Sequence, residues 1–108
     1  MTLARDADGP QLSRDEVDRL EGPVLLEFGA SWCGHCQSLA PGLARLVDEH
    51  TEVRFIWVED GPGRPLGRSF RVKLWPTLVF LKGGKVVEQL ARPSLEQARR
   101  GFEALGEA

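Results

Sequence analysis

Cys33 and Cys36 are the only thiols in the chain, and they stand three residues apart in Trp32-Cys33-Gly34-His35-Cys36. Two thiols at that spacing can close a small ring, so the pair can pass two electrons to or from another disulfide. A purely structural crosslink over so short a loop removes little chain entropy and stabilises little. A zinc site of this kind wants four ligands, and only His35 and His50 remain to complete one. His35 lies inside the turn between the cysteines, a poor place from which to share a tetrahedral ion with them. A redox dithiol is therefore the leading reading, with no metal and no bound cofactor expected. An inert cysteine pair and a metal-binding Cys-x-x-Cys protein are the alternatives, and the metal reading predicts retained zinc and a chelator-sensitive melting point.

The rest of the composition limits what such a pair could serve. At 108 residues and 12.0 kDa the chain is read as a single domain over residues 1–108. The hydrophobic fraction of 42% and charged fraction of 28% are those of a globular protein with its own core. Fourteen Lys and Arg against sixteen Asp and Glu leave a net charge of −2, which gives nucleic acid no basic face to bind. The longest apolar runs, about five residues, fall far short of the roughly 20 that cross a membrane. The start, Met-Thr-Leu-Ala-Arg-Asp, lacks the basic-then-apolar layout of a secretory signal, so a cytoplasmic location is expected.

The elements that must hold the cysteines follow from patterning. Residues 1–12 read as a short edge strand and loop. Ser13-Arg14-Asp15-Glu16 has the form of a capping box and opens a short helix through about Leu20, stopped by Gly22-Pro23. Val24–Phe28 is nearly all apolar, as in a strand covered on both faces, with Glu27 the exception. From Cys33 to about His50, Leu39, Leu43, Leu46 and Val47 form one apolar stripe of a long helix that Pro41 should kink. Val53–Val58 reads as the next strand and Leu66–Phe70 as a short helix. Thr77–Leu81 and Lys85–Ala91 flank Gly83-Gly84 as a hairpin, and Ser94-Leu95-Glu96-Gln97 caps a last helix with Leu95, Ala98, Phe102 and Leu105 on one side. The fold class expected is α/β, a central mixed sheet of four or five strands flanked by about four helices.

Trp32-Cys33-Gly34-His35-Cys36 at a strand-to-helix junction, with Trp75-Pro76-Thr77 before a hairpin, resembles the thioredoxin family. Pro41 falls five residues after the second cysteine and Glu27 six before the first, where family members carry a helix proline and a buried acid. The likeness covers about residues 13–106. It implies a thioredoxin fold, disulfide exchange and a cis bond before Pro76. It also implies protein disulfides as substrates, a flavoprotein reductase as electron donor, and a monomer.

On that reading each residue has a role. Cys33, at the N-terminal end of the long helix, has its charged form favoured by unpaired N–H groups and is the nucleophile. Cys36, a turn further in, stays protonated and resolves the mixed disulfide. Glu27, an acid in an apolar strand, should hold a proton up toward neutral pH and accept the one Cys36 loses. His35 replaces the proline usual in thioredoxins and gives a Cys-Gly-His-Cys motif resembling disulfide isomerases; its imidazole would favour the reduced form. Gly34 lets a bulky partner approach. Trp32 and Trp75 form an apolar rim, and the backbone around Pro76 offers free groups to an extended substrate.

Three departures from the family pattern point to a specialised partner. Trp75 is bulkier than the usual residue before this proline. Trp57 stands where many thioredoxins place a lysine near the buried acid, and loss of that cation should favour the protonated acid further. Arg92 stands where a small glycine lines the substrate groove. The sequence thus reads as a thiol–disulfide oxidoreductase. The lack of an export signal favours a reductase, the histidine an isomerase or oxidase. A binding module or assembly chaperone on the same scaffold is the alternative, with Trp57, Trp75 and Arg92 as partner contacts.

Overall fold

A computed structural model of the chain describes residues 11–108. The elements, in order, are α1 (Arg14–Asp18), β1 (Pro23–Gly29), α2 (Gly34–Glu49), β2 (Arg54–Glu59), α3 (Pro65–Ser69), β3 (Thr77–Lys82), β4 (Lys85–Ala91) and α4 (Leu95–Glu107). The strands form one sheet in the order β2-β1-β3-β4. β1 and β2 are parallel, which requires the crossover that α2 provides, whereas β1–β3 and β3–β4 are antiparallel. This is the mixed sheet the patterning predicts, with four strands and four helices among the described residues.

Alternation along the central strands divides the core into two layers. Val24, Leu26 and Phe28 of β1 and Val79 and Leu81 of β3 meet Val17 of α1 and Leu66 and Phe70 of α3. Leu25, Leu78 and Phe80 point the other way, onto Leu39, Leu43 and Leu46 of α2 and Ala98, Phe102 and Leu105 of α4. The apolar run of β1 is continuous because both of its faces are covered. Phe80 meets Phe102 edge-to-face at 5.3 Å.

Local chemistry sets the boundaries. Ser13 and Ser94 both close complete capping boxes, with Glu16 and Gln97 respectively. Helix α1 ends at Asp18 rather than near Leu20, and α3 begins at Pro65, whose missing N–H costs nothing at a first helical position. Pro41 lies inside α2 without ending it. Lys82 pairs with Lys85 across Gly83-Gly84, whose φ values of 60° and 78° are those a two-residue hairpin turn needs. The edge strand expected over residues 1–12 lies almost wholly outside the described residues; Gln11 and Leu12 are in neither helix nor strand.

Candidate active site

The C-terminal ends of the parallel strands β1 and β2 meet the N-terminus of α2, and the cysteines sit at that junction. Cys33 is the N-cap of α2: its Sγ accepts the backbone N–H of Cys36 at 3.3 Å, where the helix offers unpaired donors to a negative charge. Its own N–H donates to the Ala30 carbonyl at 3.0 Å. Cys33 is 6% exposed and Cys36 2%, so Cys33 is more enclosed than the sequence reading supposes. Its sulfur turns in to cap the helix, and Trp75 packs against the cluster of Ala30, Cys33, Cys36 and Trp57. Both cysteines are free thiols.

The two sulfurs differ in environment. Burial pushes the Cys36 thiol up to about 12, aided by its hydrogen bond with Cys33 and by the negative charges of Cys33 and Glu27. Glu27 is fully buried in β1, on the α2 side of the sheet beside Leu25, and its charge is felt at Cys36. Glu27 pairs in register with Trp57 of β2.

Trp57 is 9% exposed and faces the cysteines, so it is not available as a surface contact for a partner. Its reach depends on Gly29. A Cβ at position 29 would lie 2.6 Å from Cys36 Sγ and 2.8 Å from the Trp57 ring, so the indole fills space a side chain on β1 would otherwise occupy. The Trp57 Nε1 donates to Glu59 Oε1 at 3.2 Å, and the other oxygen of Glu59 accepts the Ser31 N–H at 3.1 Å. Asp60 donates its N–H to the Gly29 carbonyl at 2.7 Å and accepts the Trp75 Nε1–H at 2.9 Å. Gly29, Glu59 and Asp60 thus position the tryptophans, and the sequence reading passed over all three. Their signal was an acidic pair at the carboxyl end of a strand parallel to the one before the cysteines.

The Trp75–Pro76 bond is cis. Trp32 is 73% exposed and meets Trp75 edge-to-face at 5.4 Å. Gly34 and His35 are exposed on the first turn of α2. The backbone beside Pro76 is less free than expected. Arg92 donates its N–H to the Pro76 carbonyl at 2.7 Å and its side-chain Nε–H to the Trp75 carbonyl at 2.8 Å. Among the described residues no group of three or more His, Cys, Asp or Glu side chains converges to hold a metal, and no helix is long and apolar enough to cross a membrane.

A helix-capping thiol beside a buried, protonated one, next to a cis-proline loop on a mixed sheet, defines the class of thiol–disulfide exchange proteins. The thioredoxin family model matches residues 11–99, and the chain belongs to the thioredoxin family, oxidoreductases of protein disulfides. It is similar to thioredoxin 2 from Pseudomonas aeruginosa PAO1, solved in its reduced form, at 51% identity over the whole of both chains with a TM-score of 0.83. A thioredoxin of Geodia cydonium is 31% identical over 91% of this chain and 90% of that protein. Thioredoxin Asp f 28 of Aspergillus fumigatus is 35% identical, and the match spans 63% of each chain.

Proposed function

We propose that the chain exchanges disulfides with proteins through Cys33 and Cys36 and runs as a reductase. The Cys33 thiolate attacks one sulfur of a substrate disulfide; a mixed disulfide forms and the first substrate thiolate leaves, taking a proton from water. Cys36 then gives its proton to Glu27, through a water, and its thiolate attacks the Cys33 sulfur. The Cys33–Cys36 disulfide closes and the second substrate thiolate leaves, taking the proton back from Glu27. Two electrons have passed to the substrate. A flavoprotein reductase returns them and restores the dithiol. Trp75 packs against the reacting sulfurs with Trp32 on its edge, Gly34 leaves room for the partner, and His35 biases the couple toward its reduced form. A monomer in the cytoplasm suits these steps, because that compartment keeps such a couple reduced.

The observation that carries this reading is the unequal pair: one sulfur capping α2, the other more deeply buried and raised. Reduction of insulin in the presence of dithiothreitol tests it. Cys33→Ser should abolish the accelerated reduction. Glu27→Gln should slow release of the substrate by roughly tenfold or more while leaving formation of the mixed disulfide nearly intact. Retention of the cellular activity by Cys33→Ser would instead establish a binding module, a reading that the exposed Trp32 ring favours.

A further inference from the structure

Arg92 is held in an unusual way. Its φ of 47° lies in the left-handed region that side chains rarely adopt, and this conformation turns the arginine back over the loop that precedes β3. The backbone N–H is fixed to the Pro76 carbonyl and Nε–H to the Trp75 carbonyl, at 2.7 Å and 2.8 Å. Those two bonds anchor the guanidinium at its root. Its terminal nitrogens are not used by them, and among the described residues no carboxylate pairs with Arg92, whereas Arg14, Arg99 and Arg100 each have an acidic partner.

The anchored guanidinium lies on a groove of about 210 Å³ between the first turns of α2 and α4. Pro76, Pro93, Leu39 and Leu95 give it apolar walls, and His35 and Arg92 stand among its polar lining. His35, between the two cysteines in sequence, thus lines it on one side and Pro76 of the cis-proline loop on the other. A planar cation with unused donors, on partly apolar walls, matches a carboxylate better than any neutral group. Among the described residues no acidic side chain lines this groove to compete for the cation.

We propose that Arg92 is a specificity-determining residue that selects protein disulfides carrying an aspartate or glutamate within a few residues of the reactive cysteine, received in this groove. The inference rests on the disulfide-exchange reading above and adds to it the charge of the substrate. Neutral substrates still reach Cys33; the acidic neighbour raises the rate of encounter and the lifetime of the aligned complex. A lysine at position 92 would keep the charge and lose the anchoring Nε bond, so it would retain only part of the preference.

The test uses symmetric disulfide-linked dimers of a short neutral peptide, with Glu, Gln or Lys placed in turn at each position within about three residues of the cysteine. Second-order rate constants for their reduction by the reduced full chain are compared for the wild type, Arg92→Lys and Arg92→Gly. Glycine suits the positive φ, and Arg92→Gln supplies a second uncharged variant. For the wild type, at one position or more, the Glu peptide should react about fivefold faster than the Gln peptide at low salt. The Lys peptide should react slower than both, and the preference should shrink in 0.5 M salt as roughly the Debye length does. The Glu-to-Gln ratio should fall to about one in Arg92→Gly and Arg92→Gln. A ratio near one in the wild type, or one that survives both uncharged variants, overturns the proposal and leaves disulfide exchange standing. Failure of the wild type to reduce any of the peptides overturns the disulfide-exchange reading, and this proposal with it.

Discussion

The division of labour between Cys33 and Cys36 comes from a difference in solvation and hydrogen bonding over a single helical turn. Both sulfurs border Ala30 and Trp57, but Cys33 Sγ caps α2, whereas Cys36 is raised by its deeper burial and by the charges of Cys33 and Glu27. Iodoacetamide at pH 7 should therefore add one label per native reduced chain, on Cys33, with Cys36 labelled only after unfolding. Peptide mapping by mass spectrometry checks this, and equal labelling of both thiols would contradict the asymmetry. Gly29 is a second single-residue control. Gly29→Ala places a methyl group against Cys36 Sγ and the Trp57 ring. Overpacking of this kind costs about 1–3 kcal/mol, to be read from urea denaturation. The same variant should make the Cys36 thiol more accessible to alkylation, since the indole must move to admit the new carbon.

At the level of elements, α4 depends on Ser94, whose Oγ accepts the Gln97 N–H while Gln97 Oε1 accepts the Ser94 N–H. Ser94→Ala should cost about 1 kcal/mol in urea denaturation and Ser94→Gly only a few tenths. Both capping boxes, the central strand and the Gly83-Gly84 hairpin are legible in the sequence because each depends on residues close together along the chain. The cysteine junction is legible for the same reason. The indole partner of Asp60 is not: Asp60 reaches Trp75 fifteen residues away, through a fold in which β2 and the cis-proline loop converge. The hold of Arg92 on the Trp75 carbonyl, across seventeen residues, was hidden likewise, because it depends on a backbone angle that no pattern of apolar residues encodes. The enclosure of Cys33 depends in turn on where Trp75 lands, which periodicity does not specify.

For the whole molecule, the raised Cys36 thiol links stability to pH. The folded chain holds this proton more tightly than the unfolded chain, with a value of about 12 against an ordinary 9.0. The contribution is therefore complete below about pH 9 and is lost as the pH rises toward 12. Few other groups titrate in that range, since the chain has no tyrosine and its lysines are only Lys73, Lys82 and Lys85. Between pH 8 and 11 the urea midpoint of the reduced protein should fall more steeply than that of Cys36→Ala. Parallel curves would place the sulfur in a wetter site than the one described.

The shared volume between positions 29 and 57 also bears on how such chains diverge. One pocket beside the resolving sulfur is filled from β2 only because β1 leaves it empty, so neither position can drift alone. A larger residue at 29 meets Cys36 Sγ as well as the indole, so it needs the sulfur to give way as well as 57 to shrink, and a smaller one at 57 leaves a void until 29 grows. Inheritance at the two sites is therefore epistatic: related sequences should carry the bulk on one strand or the other, with intermediates that carry it on both, or on neither, selected against.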